Sequence, residues 1–299
     1  DVATMNAIRE EMDKIDPRIL LYGEGWDMGT GLMPQDKAKK DNAYQMPRIG
    51  FFNDTERDAV KGAEVYGGVK AGFVSGQATE DIVAKSILGS KELGSYWLPE
   101  QVLNYVEAHD NFNLHDLLTE LHPHDDVLTK SKRIELATAM NLLMQGMAFM
   151  ELGQEFSRSK LVATGEGGEV LHSDRERAMN SYNAPDAVNQ VNWDLLNHHQ
   201  NSLEFIKQII HLKTTVKEFS YKTYADIYKH VFVKSANQGS GLLIFEIKDE
   251  KHYEIIFNAS GLPFYLSNSD KLRLIAGNSR HKRPFYVENL TASVFEVIN

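Results

Sequence analysis

The chain alternates helical patterns with short apolar runs along most of its length, and this alternation constrains the fold more than any other feature. Residues 2–15 place apolar side chains at steps of three and four, which predicts a helix that Asp16 and Pro17 end. Residues 18–22 form a short apolar run that is typical of a buried strand. Helices and buried strands in turn predict a parallel sheet with crossover connections.

The same alternation continues to about residue 219. Further apolar runs predict three more strands, at 48–54, 102–110 and 147–153. Further helical faces are predicted at 80–89, around Leu136, Met140, Leu143 and Met147, and at 203–216. We therefore assign residues 1–219 to one α/β domain.

Beyond about residue 220 the spacing of apolar residues changes from helical to alternating. Leu243, Phe245 and Ile247 fall on one face of a predicted strand, and Gly, Asn and Ser residues separate further strand-like runs. Residues 220–299 are too few for a barrel with helices and fit a small sandwich. The predicted fold class is therefore α/β plus all-β, with an antiparallel β-sandwich at 220–299.

Composition argues against several classes of partner and site. The net charge of -10 argues against nucleic acid and anionic membranes, because phosphate groups require a basic patch. The sequence has no apolar run of about 18 residues that would span a membrane, and its first residues lack the features of a signal peptide. The absence of cysteine excludes disulfides, thiolate nucleophiles and Cys-type zinc sites, and it fits either a cytoplasmic or a secreted protein.

Two predicted strand ends have acidic residues beside aromatic or imidazole groups. Glu24 and Trp26 follow the first strand in YGEGW, and His109 and Asp110 end the third in YVEAHDN. The carboxyl ends of parallel strands face one site, so these acids can converge. Glycosidic bond cleavage needs such convergence, because one carboxyl protonates the leaving oxygen while another acts as nucleophile or base. Trp26 can then stack on a sugar ring, although ordinary turns also favour Gly, Asp and Asn at strand ends.

One other segment has residue types that bind metals. His122, His124, Asp125 and Asp126 lie in HPHDD, but an acidic loop that contains proline is more often simply solvated. The sequence contains no EF-hand loop, no phosphate-binding glycine loop and no Gly-x-Ser-x-Gly motif. These motifs therefore predict neither a metal site nor a cofactor.

Five segments follow one another in a recognisable order: DVATMNAIREEMDKIDPRILLYGEGWD, IGFFNDTERDAVKG, NYVEAHDNFNLHDLL, GMAFMELGQEFSRSK and NSYNAPDAVNQVNWD. In this order they resemble type I pullulanases, which are debranching glycoside hydrolases of the α-amylase superfamily. The resemblance covers residues 1 to about 220 through these motifs and the remaining residues by position and pattern. It implies that residues 1–219 are the second half of a (β/α)8 barrel and that the remainder is the family's C-terminal β-sandwich.

The resemblance also implies roles for individual residues. Glu24 matches the family's general acid/base, and Asp110 matches the acid that holds the sugar distorted and stabilises the transition state. His109 and Asn111 are neighbours of Asp110 in the same motif. Three further residues match segments that line the substrate cleft in the family: Trp26, Asn180 and Tyr182. The implied ligand is an α-glucan, and no cofactor is implied, although some relatives bind calcium.

The chain departs from the family pattern in one respect. The family's nucleophile is an aspartate at the end of the fourth barrel strand, in a GFRFDLMG motif that this sequence does not contain, and a D-x-x-x-N-H motif is missing as well. The chain is thus expected to start at the helix after that strand. A retaining glycosidase needs two carboxyl groups about 5 to 5.5 Å apart. We therefore expect the parent protein to cleave α-1,6 linkages in pullulan, starch or glycogen-type dextrins, and this chain alone to be inactive.

Half a barrel would expose unpaired strand edges and an apolar inner face. We expect such a chain to self-associate or to pair with an N-terminal half of the same parent. Two other functions are alternatives: a carbohydrate-binding or structural remnant without catalysis, and a related debranching hydrolase or transferase of the same superfamily. A degenerate remnant is expected to lose Glu24 or Asp110, and both are present.

Overall fold

The structure is a computed structural model that describes residues 1–65, 68–279 and 285–298. Within these ranges lie nine α-helices: α1 Val2–Ile15, α2 Asp54–Val60, α3 Glu80–Ile87, α4 Leu114–Leu121, α5 Val127–Leu143, α6 His172–Met179, α7 Asp186–Asn189, α8 Gln200–Thr215 and α9 Tyr224–His230. The strands of the same ranges are β1 Leu21–Gly23, β2 Ile49–Phe52, β3 Gly62–Val65, β4 Gly68–Ala71, β5 Val102–Asn104, β6 Met147–Ala148, β7 Val231–Ser235, β8 Leu242–Lys248, β9 His252–Asn258, β10 Phe264–Tyr265, β11 Leu272–Gly277, β12 Tyr286–Val287 and β13 Thr291–Val297.

Four short strands form a parallel sheet in the first part of the chain. Their order is β1-β2-β5-β6, with Leu21 beside Ile49 and Leu103 beside Met147. The predicted parallel pairing is therefore confirmed. Each strand is shorter than its apolar run, and the one predicted at 147–153 is only two residues long. After β5 and β6 the predicted runs continue as irregular backbone, which places residues beyond these strand ends at one edge of the sheet.

Polar caps define the ends of two helices. Asp1 accepts a hydrogen bond from the Thr4 N–H at 2.7 Å, so α1 begins at Val2 and spans the predicted residues. Asp126, from the HPHDD segment, caps α5 in the same way through the Thr129 N–H at 2.7 Å.

In the described parts of the chain no helix is long and apolar enough to cross a membrane.

Three elements near the parallel sheet were not predicted: α2, the hairpin of β3 and β4, and α4. α2 begins directly after β2, where the Asn53 side chain accepts a hydrogen bond from the Glu56 N–H at 3.4 Å. The antiparallel hairpin follows at Gly62, whose φ of +107° brings it close to the backbone of the returning strand. These elements bring charged residues close to the segment that follows β5.

The C-terminal part of the chain is β-rich, as predicted. In the described residues its main sheet has the order β11-β13-β9-β8-β7 with antiparallel pairing, and β10 pairs separately with β12. Leu243, Phe245 and Ile247 are buried, which confirms the predicted strand face. The range from residue 220 also contains α9, so the first strand of this region begins at Val231.

The two regions pack directly against each other. Buried residues from the parallel sheet, from α5 and α8, and from β8 and β9 belong to one hydrophobic cluster. Glu80, the first residue of α3, is fully buried and accepts hydrogen bonds from the Gly239 N–H at 3.0 Å and the Gly241 N–H at 2.7 Å. Apolar packing and this buried carboxylate therefore join the β-rich region to the α/β region.

Candidate active site

Residues beyond the carboxyl ends of β1 and β5 meet in one cleft. The cleft has a volume of about 440 Å³ and is lined by Glu24, Trp26, Phe52, Arg57, Tyr105, Ala108, His109, Asp110, Asn111, Phe149, Met179 and Asn180. Glu24 comes directly after β1, whereas His109 and Asp110 lie in the irregular segment after β5. The ligand atoms of these three residues lie within 4.8 Å of one another, and all three side chains are exposed. Parallel pairing therefore brings two distant acids together at one edge of the sheet.

Gly25 produces the turn that follows Glu24. Its φ is +70°, and a Cβ at this position would lie 2.5 Å from Phe51 Cδ1 and 2.8 Å from Lys40 Cγ. The Gly25 carbonyl also accepts a hydrogen bond from the Lys40 N–H at 2.9 Å. A residue without a side chain is needed here, because the chain passes close to β2 as it leaves the sheet.

Trp26 lies at one wall of the cleft and is 38% exposed. The Lys40 ammonium lies 4.0 Å from the centroid of the Trp26 ring, which is a cation–π contact. Lys40 is itself anchored by an ion pair with Asp54 in α2. The cation therefore covers part of the ring, and the exposed remainder is open to a ligand.

Asp110 lies in a segment that has no regular structure of its own. His109 Nε2 is 3.3 Å from Asp110 Oδ1, so the two side chains form one polar group. Asn111 has a φ of +66°, a left-handed conformation that asparagine tolerates better than most residues. Asp110 also forms an isolated antiparallel bridge with Asn180, the residue at the end of α6. This bridge brings a distant part of the chain to the cleft.

Six of the seven predicted site residues line the cleft, and the seventh, Tyr182, does not. The Tyr182 side chain is 71% exposed. The bridge to Asp110 ends at Asn180, so it does not place the residues that follow. The structure therefore brings together the two acids, Trp26, His109, Asn111 and Asn180, and leaves Tyr182 outside.

The sequence interpretation missed an aromatic floor formed by Phe52, Tyr105 and Phe149. The Phe52 ring contacts the other two edge-on, with centroids 4.9 Å from Tyr105 and 5.3 Å from Phe149. Each residue ends or follows a parallel strand, so the strand-end argument applied to Glu24 would also have found them. Burial raises the pKa of the Tyr105 hydroxyl.

Arg57 was also missed, and no local signal pointed to it. It lies in α2 and donates a hydrogen bond from Nη1 to the Tyr105 hydroxyl at 2.8 Å and another from Nε to Asp58 at 2.7 Å. Since α2 was not predicted, its charged residues were indistinguishable from a solvated surface. Arg57 adds a cation to a cleft that otherwise presents carboxylates, an imidazole and aromatic rings.

The chain that carries this cleft has relatives among known proteins. No protein-family model matches the chain. The chain is 37% identical over 241 residues to the pullulanase of Bacillus subtilis (strain 168), an alignment that covers 77% of this chain and 31% of that protein. The chain is related to the pullulanases. The pullulanase resemblance recognised in the sequence is therefore confirmed, and the chain spans less than a third of this curated pullulanase.

Solved pullulanases also share the fold. The pullulanase of Anoxybacillus sp. LM18-11, complexed with maltotetraose, matches 99% of this chain with a TM-score of 0.85 and 30% identity, over 42% of its own length. The pullulanase of Paenibacillus barengoltzii, in complex with maltohexaose and alpha-cyclodextrin, matches 100% of this chain with a TM-score of 0.82 and 30% identity, over 46% of its own length. The α/β plus β-rich architecture is therefore the architecture of the corresponding part of pullulanases.

Proposed function

We propose that this chain contributes part of the active site of a pullulanase-type glycoside hydrolase, which cleaves α-1,6-glucosidic branch linkages in pullulan, starch or glycogen-type dextrins. The convergence of Glu24, His109 and Asp110 within 4.8 Å, in a chain related to pullulanases, supports the proposal most strongly. The related solved pullulanases are complexed with maltotetraose and maltohexaose. An α-glucan is therefore the proposed ligand of the cleft.

In this proposal Glu24 is the general acid/base. Its carboxyl protonates the glycosidic oxygen as the bond breaks and later accepts a proton from the attacking water. Asp110 stabilises the positive charge that develops on the sugar ring, and His109, 3.3 Å away, orients its carboxylate. The aromatic floor packs against the apolar faces of the sugar, while the carboxylates and Arg57 bind its hydroxyl groups.

A retaining mechanism also needs a nucleophilic carboxylate, and the sequence contains no match to the family's nucleophile motif. We therefore propose that the chain alone does not hydrolyse pullulan. Glu24, His109 and Asp110 also lie close enough to hold a metal ion, but all three are exposed. The spacing serves acid–base chemistry equally well, so we propose no metal at this site.

We also propose that residues 1–219 form half of a (β/α)8 barrel and that 220–299 form its β-sandwich. In the described sheet, β1 and β6 are the end strands, and Leu20 beside β1 is 68% exposed. A cavity of about 400 Å³ opens between these strands and is lined by residues that include Tyr22 and Phe149. Unpaired strand edges favour association with another chain. A second copy or an N-terminal half of the same parent are the proposed partners.

The chain alone is tested with a reducing-sugar assay on pullulan. We expect no turnover above that of the Glu24→Gln variant. Turnover by the wild-type chain that Glu24→Gln lacks would show that the chain is active by itself. Sedimentation over a range of concentrations tests the partner proposal, and a monodisperse monomer at high concentration contradicts self-association.

A chimera tests the residue roles directly. This chain replaces the matched segment of the Bacillus subtilis pullulanase, and the chimera is assayed on pullulan with Glu24→Gln, Asp110→Asn and the exposed control Glu204→Gln. We expect the first two variants to lower kcat by about 10²- to 10⁴-fold and the control to be unchanged. A folded chimera that binds maltotetraose but never turns over pullulan would favour the carbohydrate-binding remnant instead.

A further inference from the structure

The segment from Ala108 to Leu114 contains three of the predicted site residues, and we call it the site loop. It follows β5, ends at Leu114, the first residue of α4, and includes the isolated bridge from Asp110 to Asn180. A loop with so little regular pairing needs other contacts to hold its acid in place. In this structure the contacts come from buried charged side chains of other segments.

Two buried lysines hold the loop on either side of Asp110. Lys160 Nζ donates a hydrogen bond to the Ala108 carbonyl at 3.3 Å, and Lys61 Nζ donates one to the Phe112 carbonyl at 2.5 Å. These carbonyls belong to the residues two positions before and two positions after Asp110. The lysine side chains are 1% and 0% exposed, respectively. We call the two lysines the lysine clamp.

Each lysine of the clamp has a carboxylate partner. Lys160 Nζ lies 2.9 Å from Glu151 Oε1, and Lys61 Nζ lies 3.8 Å from Glu64 Oε1. Glu64 Oε1 also accepts a hydrogen bond from the Phe112 N–H at 2.7 Å. Both polar backbone atoms of Phe112 are therefore bound by one ion pair, of which Lys61 is buried and Glu64 half-buried.

A third carboxylate holds the end of the loop. Glu107 is buried, and its Oε2 accepts a hydrogen bond from the Leu114 N–H at 2.7 Å. Burial, together with nearby Glu151, raises the pKa of Glu107 to about 8, and burial lowers the pKa of Lys61. The two pKa shifts have the same cause, because burial disfavours the charged form of Glu107 and of Lys61.

A buried ion pair is not in general the most stabilising way to fill a protein interior. Replacing a buried ion pair with well-packed apolar side chains is often neutral for stability or increases it. Apolar side chains cannot bind backbone carbonyls, however, so they would leave the loop free to move. The clamp therefore fixes the position of the loop, which apolar packing at the same positions would not do.

We propose that Lys61 and Lys160 are positioning residues that fix the site loop and thereby hold Asp110 and His109 opposite Glu24. The inference rests on the proposed function of these site residues. Among the described residues that line the cleft, neither lysine occurs. Their effect on a bound sugar therefore passes through the loop backbone rather than through direct contact.

The test uses Lys61→Met and Lys160→Met, which keep the length of the side chain and remove the donor. The matched control is Lys213→Met, because Lys213 also donates to backbone carbonyls, those of Met144 at 2.7 Å and Phe219 at 3.0 Å, outside the site loop. Three quantities are measured on the full chain: amide hydrogen exchange of residues 108–114, affinity for maltotetraose, and the midpoint of urea unfolding.

We expect each clamp variant to increase amide exchange in 108–114 about tenfold more than Lys213→Met does. The unfolding midpoint should also fall in the clamp variants, because Glu64 or Glu151 loses its cationic partner. We expect maltotetraose affinity to fall about tenfold in the clamp variants and to stay unchanged in Lys213→Met. Lys61→Arg, which retains a donor, is expected to recover part of the protection and affinity. This variant and Lys160→Met decide the question if Lys61→Met does not fold.

Unchanged exchange of residues 108–114 in the clamp variants would overturn the proposal. Increased exchange with undiminished maltotetraose affinity would also overturn it, since the loop would then move without consequence for the site. If the wild-type chain by itself does not bind maltotetraose, the exchange comparison with Lys213→Met still decides whether the clamp holds the loop, and the chimera assay on pullulan separately decides the proposed function.

Discussion

The site loop and the C-terminal sheet are stabilised in opposite ways. In β8 and β9 the buried side chains are mostly apolar, and the Phe245 and Phe257 rings pack with centroids 5.6 Å apart. Around the site loop the buried groups include Lys61, Lys160 and Glu107. The sheet is specified by a repeating pattern, whereas the loop is specified by single polar contacts. A repeating apolar pattern is enough to bury one face of a sheet. An active site instead requires individual side-chain atoms at defined positions.

The two regions also differ in how far apart the contacting residues lie in sequence. β8 and β9 pair along their whole length as neighbouring strands of one hairpin. The lysine clamp instead joins residues 51 and 52 positions apart. The hairpin can therefore form from local sequence, while the loop acquires its position only after α2, β5 and the segment after β6 have packed together.

Loss of apolar packing in the sheet should have the largest effect on stability. Phe257 is fully buried, so we expect Phe257→Ala to lower the free energy of unfolding by about 3–5 kcal/mol, measured by urea denaturation. Phe232→Ala is the control, since Phe232 is 41% exposed and its loss should cost less than about 1 kcal/mol. Equal losses in the two variants would contradict a sheet held by its apolar interior.

Buried acids near the site should make stability depend on pH. Glu56 accepts a hydrogen bond from the Tyr105 N–H at 3.2 Å, and burial raises its pKa from 4.5 to about 8. The folded state retains this proton in a range where the unfolded chain releases it, so stability falls as pH rises from about 5 to 8. Between pH 5 and pH 8 the free energy of unfolding should therefore fall by roughly 3 kcal/mol less in Glu56→Gln than in the wild type.

Urea denaturation at pH 5 and pH 8 measures that difference. The exposed Glu204→Gln variant is the control and should retain the wild-type pH dependence. Burial also raises the pKa of Glu107 to about 8. Both variants therefore retain the part of the pH dependence of stability that Glu107 causes. Identical slopes in Glu56→Gln and the wild type would show that Glu56 is ionised in the folded state.

A methyl group at Gly25 should disturb the turn that places Glu24. Gly25→Ala brings a Cβ against Phe51 and Lys40, whereas Gly29→Ala has a similar φ of +67° and open space around it. In each variant the left-handed backbone should lower the free energy of unfolding by about 1 kcal/mol. Overpacking should lower it by about 1 kcal/mol more in Gly25→Ala. The stability of the two variants is measured by thermal unfolding and their ligand affinity by titration with maltotetraose. Equal stability and affinity in the two variants would mean that the structure relieves the close approach to β2 at little cost.

An exposed ion pair in the sheet should have the smallest effect. Arg273 and Glu296 pair across β11 and β13, and the Arg273 side chain is 63% exposed. We expect Arg273→Ala to change the free energy of unfolding by at most about 0.5 kcal/mol, because water and salt screen the pair. A loss above about 2 kcal/mol would show that charges also matter for the sheet and would weaken its contrast with the site loop.

Local patterns predicted some of the regular elements. α1 spans the predicted residues 2–15, because both its apolar spacing and the polar residues at its ends are encoded locally. The strand ends also directed attention to Glu24 and Asp110, which the structure places in one cleft. Their proposed roles came from the family resemblance, since either segment alone fits an ordinary turn.

Patterns failed where charged residues are buried. Arg57, Lys61 and Lys160 resemble surface residues in the sequence, and nothing in their immediate neighbours shows that they point inward. The bridge to Asp110 places Asn180 in the cleft, and the role predicted for Tyr182 stays a prediction. Contacts of this kind depend on segments that are distant along the chain.

The sequence by itself determined the alternation of helices and strands and the change to a β-rich region, because the spacing of apolar residues is a local property. It also placed Glu24 and Asp110 at or beyond strand ends. Only the tertiary structure decided that Glu24 and Asp110 meet over an aromatic floor and that two lysines hold the loop between β5 and α4. The physical reason is that the packing of the whole chain decides which charged side chains are buried. Burial in turn sets the energetic cost of each charge and which backbone groups it can bind.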